Sequence, residues 1–129
     1  MLANACLAKG IGGLVTDTGV RDTLQLRELG FPVFSLSVCI KGTVKETLGA
    51  TNEPILIGDE IVNPGDIVAG DADGLIVVRE SEALEVAKLA QAQEDAEAGY
   101  IAAYKAGKSV VEVSNLEAVL KSNSLVIEN

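Results

Sequence analysis

The sequence predicts an α/β fold, and three observations carry that expectation. An apolar run, Gly13 to Asp17, leads through Thr18-Gly19-Val20 into a helix-like pattern, Thr23 to Leu29, and a second apolar run follows at Phe31 to Val38. Strand, helix and strand in that order read as part of an open α/β layer. Short apolar runs separated by turn residues then fill positions 54–78, and a long helical pattern begins at Ser81. The apolar content of 48% is enough for a packed core, and aromatic residues are only 3%. Leu, Val, Ile and Ala therefore have to fill that core.

Each element has a local reason. Residues 2–9 are small helix formers stopped by Gly10. The helix over Thr23–Leu29 has Asp22 as its candidate cap, Gln25 three residues on as a capping-box partner, and Gly30 as its stop. Phe31 to Val38 alternates over part of its length, as a half-buried strand does. Thr43 to Thr51 reads as a loop with a short turn. Ile55-Leu56-Ile57, Glu60-Ile61-Val62, Asp66 to Ala69 and Leu75 to Val78 are separated by Gly58-Asp59, Asn63-Pro64-Gly65-Asp66 and Asp71-Ala72-Asp73-Gly74. Those spacers are hairpin signals, and the stretch reads as a β-meander of a barrel-like sheet. Ser81 to Lys105 is a long helix with Ser81 as cap, Gly99 as an interruption and Gly107 as a stop. Ser114 to Ser122 is a last short helix, and Asn123 to Asn129 receive no assignment.

Composition narrows the function. The formal net charge is −9, a field that repels a phosphate backbone and disfavours nucleic-acid binding. No basic amphipathic face or membrane-length apolar run suggests a membrane, and Met1 to Gly10 lacks a basic leader region, so a cytoplasmic protein is expected. Cys6 and Cys39 are too few and too isolated for a disulfide framework or a zinc site, and read as buried free thiols. There is no histidine, which removes Ser-His and Cys-His mechanisms.

The chemistry then falls on Arg21 and Asp22. Arg21 is a planar fork for a carboxylate or phosphate, and Asp22 is a hard oxygen donor for magnesium or manganese. Side by side at a strand-to-helix turn they could hold an anionic substrate and a divalent cation together, with backbone donors of the helix start beside them. The cation would polarise a carbonyl and stabilise an enolate. From the local residues alone, however, Asp22 reads first as a helix cap and Arg21 as a surface ion-pair partner. Asp71-Ala72-Asp73-Gly74 looks like the start of a calcium loop but lacks the later glutamate, and reads as a hairpin turn. Gly10-Ile11-Gly12-Gly13 precedes a strand and fails as a dinucleotide motif.

Four motifs in order resemble one family. They are Gly-Leu-Val-Thr-Asp-Thr-Gly-Val-Arg-Asp (13–22), Leu-Arg-Glu-Leu-Gly-Phe-Pro-Val-Phe (26–34), Lys-Gly-Thr-Val-Lys-Glu-Thr (41–47) and Pro-Gly-Asp-Ile-Val-Ala-Gly-Asp-Ala-Asp-Gly-Leu-Ile-Val-Val (64–78). Together they resemble the RraA-like family over about residues 1–122. Its enzyme branch comprises the 4-hydroxy-4-methyl-2-oxoglutarate and 4-carboxy-4-hydroxy-2-oxoadipate aldolases. The resemblance implies a swivelling β/β/α domain of the RraA-like type, with residues 1–129 as a single domain that lacks part of its N-terminal half. It implies trimers or hexamers and a Mg2+- or Mn2+-dependent aldolase that releases pyruvate and a second oxo acid from a 2-oxo acid. Some members also decarboxylate oxaloacetate.

By the same resemblance, Arg21 is catalytic and binds substrate, and Asp22 is the direct metal ligand. Leu2 falls at the end of a loop that gives backbone amides to the pyruvate carboxylate. The carboxylate of that loop which holds a metal-bound water would precede the chain's start. Among Glu94, Asp95 and Glu97, spacing favours Glu97 as the acid reaching in from a neighbouring subunit. Asp17 is a candidate to orient Arg21. Lys41, Lys45 and Glu46 are expected in a structural or subunit-contact role. A second branch of the family regulates ribonuclease activity and lacks the acid after the arginine, so Asp22 favours the aldolases. A non-catalytic regulator and an inactive shortened relative are the alternatives.

Overall fold

The computed structural model describes residues 1–44 and 46–123. It divides into two compact units, residues 1–81 and 82–129. The expectation for Lys45 lies outside the described residues, as do residues 124–129.

The first unit opens with α1 (Leu2–Ala8), closed by Gly10 at φ 72°. Next come β1 (Leu14–Val20), α2 (Thr23–Leu29) and β2 (Val33–Val38). β1 and β2 pair in parallel, with Leu14 opposite Val33 and Val20 opposite Val38. Parallel neighbours need a crossover, and α2 supplies it. The expected turn at Thr18-Gly19-Val20 is instead the end of β1, and the ladder shifts register between Thr16 and Gly19. Thr16 Oγ1 accepts the Thr18 amide at 3.3 Å, a local bond that takes the place of a ladder bond there. Gly19 serves close approach rather than a turn, since a Cβ there would stand 2.7 Å from the Cys39 Cβ.

Two hairpins complete this unit: β3 (Ile55–Ile57) with β4 (Glu60–Val62), and β5 (Ile67–Gly70) with β6 (Leu75–Val78). They are separate two-stranded sheets, so the expected continuous meander does not form. The break falls at Asn63–Asp66, where Gly65 has φ 96° and the turn closes on the Asp66 carboxylate. That carboxylate accepts the Asn63 amide at 2.8 Å, Asn63 Nδ2 at 3.1 Å and the Glu80 amide at 3.3 Å. Arg79 Nη1 donates to it at 3.0 Å and to the Ile61 carbonyl at 2.7 Å. Asp66 thus ties the end of β4 to the end of β6, with its side chain only 6% exposed. The Asp71–Gly74 turn is the expected hairpin, with Asp71 accepting the Asp73 amide at 2.8 Å.

The Asn63 backbone bond, foremost, together with the Asn63 side-chain, Glu80 and Arg79 bonds, holds the Asp66 carboxyl below its ordinary value of 3.8. A depressed carboxylate stabilises the fold fully above its unfolded value, and that contribution is lost as pH falls through the folded value. Thermal melts from pH 7 downward should therefore show wild type losing stability once pH falls below about 4, the range of an unfolded carboxylate, and on down through the lower folded value of Asp66. Asp66→Asn should melt lower at pH 7 and show a shallower acid loss. Equal acid slopes in the two proteins would remove Asp66 from the account.

The second unit is helical. A 3-10 turn, Glu80–Glu82, crosses its boundary and leads into α3 (Ala83–Lys105), and α4 (Val110–Val113) and α5 (Glu117–Ser122) follow. Ser81 lies inside the 3-10 turn, so it does not cap α3; Glu82 holds that position without a side-chain bond. Gly99 does not interrupt α3, because the roughly 1 kcal/mol cost of one glycine is spread over 23 residues rich in Ala, Glu and Gln. The last helix starts at Glu117 rather than Ser114, which instead closes α4. α4 was not foreseen. Its signal was Ser109-Val110-Val111-Glu112: the Ser109 hydroxyl accepts the Glu112 amide, and Glu112 accepts the Ser109 amide at 2.8 Å. That backbone bond, with the Ser109 hydroxyl second, keeps the Glu112 carboxyl below its ordinary range.

Burial is sparse. Among the described residues only Ala3 and Phe31 are buried apolar side chains. The accessible surface is 11017 Å². Two separate compact bodies sharing this mass would expose about 7,800 Å². Leu36, Ile40 and Leu48 are more than three-quarters exposed. The thiols follow the same pattern: both are free, but Cys39 is exposed and Cys6 half-buried, against the expectation that both are buried. No helix among the described residues is long and apolar enough to cross a membrane.

Candidate functional site

In a parallel sheet the residues that follow neighbouring strands emerge at one end, which is where ligands of open α/β layers sit. Val20 and Val38 are register partners, and the Cys39 amide donates to the Val20 carbonyl at 2.8 Å. Arg21-Asp22 after β1 and Cys39–Gly42 after β2 therefore leave the sheet side by side. A Cβ added to Gly42 would lie 3.9 Å from Arg21 Nη1, so one end of the guanidinium stands near Gly42.

Asp22 is the turning point into α2, and its backbone is left-handed, with φ 62° and ψ 38°. Its carbonyl accepts the first helical bond, from the Leu26 amide at 3.0 Å, but its side chain makes no cap bond. The expected capping box with Gln25 is thus absent. Side-chain caps come from residues in the β region, and a left-handed backbone does not give the carboxylate that approach. Asp and Asn are the non-glycine residues that adopt this conformation most readily, as Asn52 and Asn115 also do here. The carboxylate is 65% exposed, and the nearest cation is its own neighbour, Arg21 Nε, at 3.9 Å. Such an exposed contact contributes little to stability. Asp22 is a carboxylate without a structural bond, beside a guanidinium, at the end of a strand.

The remaining site expectations fall in three places. Asp17 stands in the irregular part of β1, and no hydrogen bond or ion pair among the described residues joins it to Arg21. Leu2 opens α1 with an exposed side chain and is not hydrogen-bonded to Arg21 or Asp22. Glu97 lies on α3 in the helical unit, where it accepts a bond from Gln93 Nε2 at 2.9 Å. Glu94 and Asp95 share Gln91 Nε2, at 3.5 and 3.1 Å. All three acids are exposed. Gly42, beside Arg21, was not singled out from the sequence as a site residue. Its proximity depends on the parallel register of two distant segments, which no local pattern encodes.

Among the described residues, no group of three His, Cys, Asp or Glu side chains could hold a metal ion. The site supplies one free carboxylate. That donor set suits magnesium or manganese, which keep several waters and take one or two carboxylates plus oxygens of the substrate.

The model of the RraA-like family, described as Aldolase/RraA, matches residues 1–77. A Halalkalibacterium halodurans protein is 38% identical over 90 residues, covering 67% of this chain and 43% of that protein. Its name assigns it, provisionally, 4-hydroxy-4-methyl-2-oxoglutarate aldolase activity. The 4-hydroxy-4-methyl-2-oxoglutarate aldolase of Thermus thermophilus is 34% identical over 79 residues, covering 61% of this chain and 48% of that enzyme. A solved structure of an uncharacterized protein from Pseudomonas syringae pv. tomato superposes with a TM-score of 0.76 at 27% identity, covering 88% of this chain and 57% of that one. The chain spans about half the length of the curated relatives it matches. With a family match over most of its length and a shared α/β fold, the chain belongs to the RraA-like family.

Proposed function

We propose that the chain acts as a divalent-metal-dependent lyase. In this reading it cleaves a 4-hydroxy-2-oxo di- or tricarboxylic acid to pyruvate and a second oxo acid, and also decarboxylates oxaloacetate. The observation that carries the proposal is the Asp22 carboxylate, left without a structural bond beside Arg21 at the strand ends. Relatives named for this aldolase activity support the reaction class. Asp22 would hold Mg2+ or Mn2+, and the bound ion would supply Lewis-acid polarisation of the 2-oxo group. Arg21 would grip the substrate carboxylate through two parallel N–H bonds and fix its orientation against Asp22. The large exposed apolar surface supports a homo-oligomer; the trimer or hexamer and the cytoplasmic location follow from the family resemblance. The same free carboxylate disfavours a purely regulatory role.

Pyruvate release from 4-hydroxy-4-methyl-2-oxoglutarate and from oxaloacetate, with Mn2+ or Mg2+ and with a chelator, tests the proposal. Activity should require the metal. Arg21→Lys should lower kcat/KM by about 10- to 100-fold, because a point charge replaces a charge-assisted fork. Activity that survives the chelator, or none in a well-folded oligomer, would reject the reading.

A further inference from the structure

A cavity of about 190 Å³ opens between α2 and the β1–β2 sheet. Leu26, Phe31, Val33 and Val38 give it apolar walls, and no acid lines it. α2 also brings Thr23 and Arg27 to the lining. These two are four residues apart, so they are neighbours on one helix face. Among the described residues the Arg27 guanidinium makes no ion pair and the Thr23 hydroxyl no hydrogen bond. Acidic residues outnumber basic ones by 19 to 10, yet none pairs with this arginine. Ser35, the other polar residue of the lining, is already engaged, its hydroxyl donating to the Ser37 carbonyl at 3.2 Å. The cavity therefore offers one cation and one free hydroxyl on the wall of an otherwise apolar space.

Its size limits the occupant. Pockets that hold cofactors and drug-sized molecules run to about 300–1,000 Å³. A space of about 190 Å³ takes a much smaller molecule. A carboxylate matches the guanidinium fork and the neighbouring hydroxyl, and a short branched tail removes the apolar walls from water. We infer that this cavity is a binding site for a short branched aliphatic carboxylic acid, held through its carboxylate by Arg27 and Thr23. The site shares no residue with the Arg21–Asp22 pair, and the inference does not rest on the lyase reading.

Isothermal titration of the full chain with 4-methylpentanoate, in the absence of metal, tests this. The acid should bind at least about 10-fold more tightly than acetate, because its further carbons leave water in the cavity. 4-Methylpentanamide, of the same shape without the charge, should bind about 10-fold more weakly than the acid. Arg27→Gln should bring the acid down to the level of the amide, and Arg27→Lys should keep part of the difference. Val38→Phe, which adds bulk at a lining position that is 70% exposed, should erase the advantage over acetate. Arg21→Gln should leave the affinity unchanged. Equal binding of acid and amide to wild type, an acid preference that survives Arg27→Gln, or loss of binding in Arg21→Gln would overturn the inference. The comparison of acid, amide and acetate uses the unaltered chain, so it decides the matter even where a variant folds poorly.

Discussion

Asp22→Asn is expected to lower metal-dependent pyruvate release by about 100-fold or more while leaving the melting temperature within about 2 °C of wild type. The two halves of that result have separate physical causes. A metal that polarises a carbonyl supplies several kcal/mol to the transition state, and about 2.7 kcal/mol corresponds to 100-fold in rate. Asparagine keeps the size of aspartate and tolerates the left-handed backbone at φ 62°, so the turn into α2 is retained. What it loses is the negative charge, the property a hard cation requires. Stability should hardly change, because the carboxylate makes no cap bond and only a 3.9 Å exposed contact with Arg21. Asp22→Gly extends the test: glycine accepts positive φ freely, so it removes the whole side chain without backbone strain. It should be as inactive as Asn. Assays at matched Mn2+, with circular dichroism melts of the same preparations, read both quantities. Wild-type rates from Asp22→Asn would remove Asp22 as the metal ligand, and a large fall in melting temperature would return it to a structural role.

The sequence shows the α2 region most clearly because its signals are local. Gly30 closes the helix with φ 68°, and the observed bounds, Thr23–Leu29, are those the pattern implies. Arg21 and Asp22 are legible for the same reason: neighbours in sequence are neighbours in space. What the sequence hides is decided at a distance. Gly19 reads as a turn residue, yet it sits in β1 because the Cys39 Cβ passes where its own side chain would be. The Asn63–Asp66 spacer reads as one more hairpin, but Arg79, 13 residues on, fixes it as a clamp between two separate sheets. The approach of Gly42 to Arg21 likewise follows from the pairing of Val20 with Val38. α4 is set locally as well, by the Ser109-x-x-Glu112 capping box in a helix of only four residues.

Phe31→Ala is expected to be the most damaging single substitution for stability. Phe31 is 4% exposed and, with Ala3, makes up the buried apolar side chains among the described residues. Its amide donates to the Leu26 carbonyl at 3.3 Å, while the Gly30 amide donates to Arg27 at 3.1 Å. This is the pattern in which the residue after a glycine stop packs back on the last turn of its helix. The ring lies with Leu26, Val33 and Val38 around one small cavity between α2 and β2. Truncation of a buried Phe costs about 3–5 kcal/mol, a large part of the 5–15 kcal/mol a domain has. The melting temperature should fall by roughly 10 °C or more. Leu24→Ala, at a position 64% exposed on the same helix, should stay within about 2 °C of wild type. Melts followed by circular dichroism compare the two, and equal melting temperatures would show that Phe31 does not anchor α2. Because α2 begins at the turn that holds Asp22, pyruvate release by Phe31→Ala should fall in proportion to the unfolded fraction and recover on cooling. Loss of activity in fully folded Phe31→Ala would instead mean that the ring positions the site directly.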